Sequence, residues 1–240
     1  MTVTPAGHAK GFEAGTLLMQ QRNAAPPDLK VLDITNWFGE TTAGAQVYLK
    51  EKGDYVGRHP GLRQVVVTPS HSDSVEEHGP VRHYRLKSPR IPTQPHYRLL
   101  LAAASLRRII EHEYPDLIEV HSPIILPWLT AIAARRRDIP LVGFHHTGTT
   151  KVLRGGHWNR PMSSLSAAYA RRLDRLFVTT LVASDYAASE LAAAGAKRIT
   201  RVPAGPATAG RGFVKSEYSW DRVFDPIFEV YRRIVRVHSD

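Results

Sequence analysis

Two stretches decide the fold of this chain: Pro115-Asp-Leu-Ile-Glu-Val-His-Ser-Pro123 and, further along, Ile139-Pro-Leu-Val-Gly-Phe-His-His-Thr147. Each is a short apolar run that ends in histidine, and residues 124–137 between them are typical of a helix. A strand, a helix and a second strand form a βαβ unit, whose strands are parallel. Because ligands of open α/β sheets bind outside the carboxyl ends of the strands, we expect His121 and His146 to face one crevice.

Strands and helices alternate on both sides of this unit. Further apolar runs predict strands at residues 30–35, 64–68, 176–183 and 197–202, and an alternating run predicts an edge strand at 81–86. A polar loop is expected at residues 69–80. Helices are expected at residues 45–52, 97–113, 161–174 and, after the N-cap Ser184, up to 194. This alternation predicts an α/β fold with a doubly wound, mostly parallel sheet.

Two segments of different composition flank the predicted sheet. Residues 1–28 lack a periodic pattern and predict a mobile N-terminal arm. We expect the main domain at 29–205, a linker at 206–218, and at 219–240 a C-terminal amphipathic helix that packs on the domain. Pro226 indicates either a kink in this helix or a start at Asp225-Pro226.

The composition excludes several kinds of site. The 240 residues include no cysteine, which excludes disulfides, thiolate nucleophiles and cysteine-ligated zinc and fits a reducing compartment. No signal peptide is recognised, and no apolar run is long enough to span a bilayer. The formal net charge of +10 indicates either an anionic partner or simply a solvated basic surface. The basic residues are spread along the chain, which argues against nucleic acid.

The order of these segments resembles the N-terminal domain of the GT-B glycosyltransferases of the family 4 type. The matching stretches are residues 42–49, 92–98, 115–128, 140–147 and 184–205. The resemblance implies a Rossmann-like domain, a single GT-B N-terminal half, that mainly binds the acceptor while a second half binds the nucleotide sugar. It also implies retaining transfer of a hexose to a lipid, sugar or small-molecule acceptor. No cofactor is implied, since the nucleotide sugar is a co-substrate.

The sequence departs from the family after Val202-Pro-Ala-Gly205. Where the family continues into its donor domain, residues 209–235 here resemble the family's extreme C-terminus. We therefore expect a truncated form in which the N-terminal half is joined to its own terminal helix and is inactive alone. The alternative is a non-catalytic remnant or subunit that binds an acceptor or a separate donor-domain partner.

The resemblance also implies roles for individual residues. His146 corresponds to the catalytic residue that contacts the transferred sugar, and imidazole suits such a contact. Ala43 and Gly44 correspond to the donor phosphate loop, although Ala43 replaces the first of the family's two glycines. The acceptor-binding residues that the resemblance implies are Tyr97 and Arg98 at the start of a helix, together with His121, Thr147 and Lys151.

Other classes of site and partner follow from the same residues. No metal site is expected, because His145 and His146 have neither a carboxylate nor a third histidine at ligand spacing. A dehydrogenase is disfavoured, since no G-x-G-x-x-G follows the first strand.

The expected partners are a sugar or lipid acceptor and a separate donor-binding domain, with no specific nucleic acid. Arginines beside the apolar stripe of the last helix predict peripheral contact with an anionic membrane, at the inner face and from the cytoplasm; they are Arg222, Arg232, Arg233 and Arg236.

Overall fold

The computed structural model describes residues 28–36, 43–91, 94–122, 125–145, 160–204 and 219–239. Its strands are β1 (Leu29–Ile34), β2 (Leu62–Ser70), β3 (Ser74–His78), β4 (Val81–Lys87), β5 (Arg90–Ile91), β6 (Gln94–Arg98), β7 (Leu117–Val120), β8 (Leu141–His145), β9 (Thr179–Val182) and β10 (Ile199–Arg201). Its helices are α1 (Ala43–Arg58), α2 (Ala103–Glu113), α3 (Leu126–Ala134), α4 (Arg160–Leu176), α5 (Asp185–Ala193) and α6 (Trp220–Ser239).

An eight-stranded sheet lies at the centre, in the order β10-β9-β8-β7-β1-β2-β4-β3. Neighbouring strands are parallel except β3, which is antiparallel to β4. β1 lies between β2 and β7, so the strand order reverses beside β1, which is where open α/β sheets bind ligands at their carboxyl end. The predicted Rossmann-like, mostly parallel α/β fold is confirmed, and the βαβ unit of β7, α3 and β8 lies next to the reversal.

The sheet beyond β2 differs from the prediction. Residues 81–86, predicted as an edge strand, lie inside the sheet as part of β4, and the predicted loop 69–80 contains β3, the strand at this edge. Ion pairs join the two strands, since Arg82 donates to Glu77 at 3.0 Å and Arg85 donates to Glu76. The polar composition of residues 69–80 is typical of a loop, but Glu76 and Glu77 each pair with an arginine on β4. Charged residues on an edge strand also oppose pairing with a strand of another molecule.

The helix predicted from residue 97 begins only at Ala103. Residues 97 and 98 instead end β6, which pairs with β5 in a separate two-stranded sheet. Tertiary hydrogen bonds hold this segment extended: Arg98 donates to the carbonyl of Ser88 at 2.6 Å, and the amide of Leu100 donates to Oδ1 of Asn36 at 3.0 Å. Local helix propensity does not include such long-range bonds, so the prediction here was wrong.

Helices pack on both faces of the large sheet. On one face, α2, α3 and α4 bury side chains against the strands, among them Leu106, Leu126 and Leu173. On the other face, α1 and α6 form a second apolar core that includes Tyr48 and Phe228. None of the described helices is long and apolar enough to cross a membrane.

α6 reaches from α1 to the start of β8. Asp225, near the beginning of α6, accepts a hydrogen bond from Tyr55 of α1 at 2.7 Å, and His238 Nε2 lies 2.6 Å from the carbonyl oxygen of Asp138. Pro226 lies inside the helix, so the predicted alternative of a start at Asp225-Pro226 is wrong. Apolar residues on both sides of the proline are buried, and this burial outweighs the hydrogen bond that proline cannot donate.

Phe228→Ala should destabilise the fold far more than Glu229→Ala. Phe228 is fully buried against Tyr55 and Tyr231, so we expect its truncation to lower the free energy of unfolding by about 3–5 kcal/mol. Glu229 is exposed on the same helix, so its truncation should change that free energy by less than about 0.5 kcal/mol. Urea denaturation measures both, and equal losses would contradict the burial of α6 in the core.

Candidate functional site

The carboxyl edge of the sheet at the strand-order reversal is the candidate site. Polar residues follow three neighbouring strands here: Thr35 and Asn36 after β1, His121 and Ser122 after β7, and His145 at the end of β8. The backbone amides of Thr35 and His121 donate to carbonyls of the adjacent strands at 3.2 and 2.9 Å, so the sheet pattern continues to this edge. The strands thus hold these polar residues at the position where doubly wound sheets bind ligands.

The first turn of α1 begins after the carboxyl end of β1 and belongs to the same edge. The first amides of a helix have no intrahelical partners, and the helix dipole favours an anion there. Gly44 is exposed in this turn, and a Cβ added to it would meet nothing within 4 Å. Packing against the described residues therefore does not require glycine at this position.

A cluster of buried charges lies between the sheet and α1. Nζ of Lys52 donates to Oδ1 of Asp33 at 2.7 Å and to Oε2 of Glu119. The three side chains are fully buried and come from α1, β1 and β7. Charged groups are stable in a protein interior only when they are paired and hydrogen-bonded, and these contacts provide both.

Tyrosine hydroxyls connect the helices to this cluster. Tyr231 of α6 donates to Oε2 of Glu119 at 2.5 Å and accepts from Lys52 at 3.1 Å. Tyr48 of α1 donates to Oε1 of Glu119 at 3.4 Å. The position of α6 on the sheet is therefore set by a polar contact as well as by apolar packing.

His121 also belongs to this cluster. The side chain is fully buried, and its Nε2 lies 3.1 Å from Oδ1 of Asp33 and 3.8 Å from Oε2 of Glu119. Gln64 donates to the second oxygen of Asp33 at 2.8 Å, so every oxygen of the two carboxylates has a partner. The expectation that His121 faces the crevice is corrected, since its imidazole bonds an interior carboxylate, while its predicted role in acceptor binding stays a prediction.

The environment affects the two carboxylates in opposite directions. Burial alone would raise the pKa of Asp33, but the Lys52 ammonium and His121 hold it well below its usual range. For Glu119, burial prevails over the opposing charges of Lys52 and His121 and raises its pKa. Burial alone would lower the pKa of Lys52, yet the charges of Asp33 and Glu119 raise it. Asp33 is thus the fixed counter-ion of Lys52, and Glu119 is the carboxylate that protonates more easily.

Asp33, Glu119 and His121 also have the composition of a metal site. One ligand atom from each residue lies within 4.8 Å of the other two. The ammonium of Lys52 already bonds both carboxylates, so an internal cation occupies the position between them. No pattern of neighbours along the chain reveals this group, because Asp33 and Lys52 approach His121 only in the folded sheet.

The other predicted site residues fall into two groups. His146, Thr147 and Lys151 lie outside the described residues. Tyr97 and Arg98 lie in β6 rather than at a helix start, and the Arg98 guanidinium bonds a backbone carbonyl. Their predicted roles, and those of Ala43 and Gly44 in phosphate binding, stay predictions.

A small cavity of about 50 Å³ lies between β8 and α4. Its walls include Ser122, Gly143, His145 and Phe177. The buried Oγ of Ser122 has no hydrogen-bond partner among the described residues, and burial lowers the pKa of His145 and so favours neutral imidazole. A cavity of this volume is large enough to hold ordered water.

Comparison with known proteins places the chain in a family. The model of Glycosyltransferase Family 4 matches residues 42–208. The match extends from just before α1 to beyond β10 and therefore includes the carboxyl ends of β7 and β8. No curated protein matches the chain significantly.

Solved structures with a similar arrangement are distant in sequence. UDP-N-acetylglucosamine 2-epimerase from Rickettsia bellii is 15% identical to this chain with a TM-score of 0.42, and the aligned region covers 73% of this chain and 45% of the epimerase. An E. coli structure described as trehalose-6-phosphate bound with UDP-2-fluoro glucose is 13% identical with a TM-score of 0.45, covering 73% and 49%. The lipopolysaccharide outer core galactosyltransferase WaaB is 10% identical with a TM-score of 0.48, covering 74% and 46%. The chain thus spans less than half the length of these proteins.

Lys52→Met should destabilise the protein strongly and in a pH-dependent way. The substitution removes the only ammonium that bonds Asp33 and Glu119 in the described cluster and leaves two buried negative charges uncompensated. We therefore expect a loss of about 3–5 kcal/mol in the free energy of unfolding at neutral pH. The ammonium lowers the pKa of both carboxyls, so both pKa values rise in the variant. The carboxyls then protonate in the folded state as the pH falls, and the deficit relative to the wild type should shrink towards acid pH.

Two further variants make this measurement specific. Tyr231→Phe removes one hydroxyl from Glu119 and should cost about 1.5–3 kcal/mol. Arg58→Met removes an exposed ion pair with Asp221 and should cost less than about 1 kcal/mol at any pH. Urea denaturation across the pH range gives all three values. A deficit for Lys52→Met that does not depend on pH would disprove the role of Lys52 as the cation of the cluster.

Proposed function

The chain belongs to Glycosyltransferase Family 4, and we propose on that basis that it is the acceptor-side half of a glycosyltransferase. The reaction would transfer a hexose from a nucleotide sugar to a lipid, sugar or small-molecule acceptor, with retention of configuration. The family match over residues 42–208 is the observation that supports this proposal most, because it includes the first turn of α1 and the carboxyl ends of β7 and β8.

The chemistry of the proposed site divides between two elements. The amides at the first turn of α1, beside the exposed Gly44, would bind the diphosphate of a nucleotide sugar. His146, Thr147 and Lys151 follow β8 and would contact the transferred sugar and the acceptor. Catalysis would rest on aligning donor with acceptor and on stabilising charge in the transition state. Glu119 is not proposed as a nucleophile, because it is fully buried and bonded to Lys52 and Tyr231.

The proposal includes partners and a location. A separate donor-binding domain would supply the other wall of the crevice, and the chain unaided would transfer little or no sugar. The location would be the cytoplasm, with peripheral contact to an anionic membrane. No nucleic acid is included among the partners.

A transfer assay with the donor half added in trans tests this function. The purified chain is incubated with radiolabelled nucleotide hexoses and a panel of sugar and lipid acceptors, alone and with the separately purified donor domain of a Family 4 enzyme. We expect little or no product from the chain alone, product from the mixture, and loss of that product in His146→Ala. Turnover by the chain alone would overturn the proposed inactivity. Acceptor binding without product in any mixture would support a non-catalytic subunit instead.

Gly44→Ala should stabilise the protein and weaken its binding of a diphosphate. An added Cβ meets no atom within 4 Å, and alanine in a helix is favoured over glycine by about 0.5–1 kcal/mol. The same methyl group would hinder the approach of a diphosphate to the amides of the first turn. Gly57→Ala is the matched control, because Gly57 lies near the other end of α1 and its added Cβ also meets nothing within 4 Å.

Two measurements separate these effects. Urea denaturation should show a similar gain in stability for both variants. An NMR titration with UDP, which detects weak binding, should show shifts of the α1 amides that are reduced in Gly44→Ala and retained in Gly57→Ala. Equal UDP binding by both variants would argue against a phosphate contact at Gly44.

A further inference from the structure

The cavity between β8 and α4 lies on the face of the sheet opposite the buried charge cluster. Its walls come from the ends of β7 and β8, from β9, and from α4 and α5. Most of the wall residues are apolar and a few are polar. We call it the Ser122 cavity and define it by six of its wall residues: Ser122, Gly143, His145, Leu173, Phe177 and Thr180.

Ser122 brings a buried hydroxyl to this cavity. The residue is 3% exposed, and its Oγ has no hydrogen-bond partner among the described residues. Successive side chains of an extended chain point to opposite faces, so Ser122 faces the cavity while His121 bonds Asp33 on the face of α1. Buried hydroxyls in proteins nearly always bond a protein group or an ordered water. The cavity is the space from which a partner reaches Ser122.

Three further polar residues line the cavity. His145 ends β8 and is 6% exposed, Thr180 lies in β9, and Asp174 lies in α4. Oδ1 of Asp174 accepts hydrogen bonds from the amides of Lys197 and Arg198 at 3.0 and 2.9 Å, so these bonds hold the carboxylate in place. Burial lowers the pKa of His145 and favours the neutral imidazole, which has one nitrogen that donates and one that accepts.

Gly143 forms a wall of the cavity without a side chain. A Cβ added to it would lie 2.9 Å from the ring of Phe177 and 3.2 Å from Oγ1 of Thr180. The first distance is too short for a real contact, so the close packing of Phe177 requires glycine here. The second distance shows that the Thr180 hydroxyl lies beside Gly143. Hydrogen-bonding side chains from three adjacent strands therefore meet around one small space.

We propose that the Ser122 cavity is a hydration site, in which ordered water bonds the hydroxyl of Ser122 and the imidazole of His145. The cavity volume of about 50 Å³ is large enough for water, and a buried water typically makes about three hydrogen bonds. Thr180 is the third partner. The water joins the carboxyl ends of β7 and β8 to β9, and it selects one tautomer of His145, because a ring nitrogen is a donor or an acceptor according to its partner. This proposal does not rest on glycosyl transfer, so the two can fail independently.

Water fits the cavity better than the alternatives do. A serine nucleophile with a histidine base requires a hydrogen bond between the two side chains, and Oγ of Ser122 makes none with a described residue. An empty cavity, or one that holds an apolar guest, leaves the hydroxyl unsatisfied in the protein interior, which is unfavourable. A water molecule both donates and accepts, so it satisfies the hydroxyl and the imidazole together.

A crystal structure of the full chain at high resolution tests the proposal directly. We expect an ordered water within about 2.5–3.2 Å of both Oγ of Ser122 and a ring nitrogen of His145. The same crystals under xenon pressure should show no xenon in the cavity, because xenon enters empty apolar cavities. A cavity without electron density, or one that takes up xenon, would overturn the proposal.

Ser122→Ala distinguishes a hydrated hydroxyl from an unsatisfied one in solution. Loss of a hydrogen bond to water should lower the urea midpoint of unfolding, whereas removal of an unsatisfied hydroxyl should raise it. Ser88→Ala is the matched control, because Ser88 is also 3% exposed and its hydroxyl donates to the carbonyl of Leu86 at 2.8 Å. We expect the two midpoints to fall by amounts within about twofold of each other.

The tautomer of His145 gives a readout that loss of stability alone does not move. Nitrogen chemical shifts of the imidazole report which ring nitrogen carries the proton. We expect the ratio of tautomers to change in Ser122→Ala and to stay as in the wild type in Ser88→Ala. A midpoint of Ser122→Ala above that of the wild type, or an unchanged ratio of tautomers in that variant, would contradict the bridging water.

Discussion

The rest of the structure depends on the ammonium of Lys52, which lies between two buried carboxylates. Asp33 of β1 and Glu119 of β7 are direct neighbours in the register of the parallel sheet. Like charges at paired positions of adjacent strands repel, and in a dry interior that repulsion would force the strands apart or protonate a carboxyl. Lys52 bonds both carboxylates from α1. The pairing of β1 with β7, which creates the strand-order reversal, is therefore tied to the position of α1.

The same cluster explains why a helix from the far end of the chain belongs to the core. Lys52 and Glu119 each bond the hydroxyl of Tyr231, which is fully buried in α6. Phe224 and Phe228, on the same side of α6, pack against the aromatic rings of α1. Without α6, apolar side chains on this face of the sheet would be exposed and Glu119 would lose a hydrogen-bond donor. Apolar packing and polar contacts therefore both hold α6 in the same position.

The sequence sufficed where local signals and the fold agree. The βαβ unit around residues 115–147 follows from two apolar runs, and Ser184 caps α5 as predicted by accepting from the amide of Ala187 at 3.1 Å. Prediction from the sequence failed where contacts between residues far apart in the chain determine the local structure. β3 is a strand because arginines of β4 pair with its glutamates, and residues 97 and 98 are extended because of tertiary hydrogen bonds. The buried cluster was missed for the same reason, since no pattern along the chain places Lys52 beside Asp33.

Burial of Glu119 also constrains the chemistry that the sheet can support. The Glu119 carboxylate accepts hydrogen bonds from Lys52 and Tyr231. If it moved away to attack a sugar, the buried ammonium of Lys52 would lose one of its two counter-ions, which is energetically costly. Any transfer at the carboxyl edge must then rely on groups other than Glu119. The cluster acts on that chemistry through structure, because it fixes β1, β7 and α1 relative to one another. The relative placement of these three elements therefore depends on a buried charge.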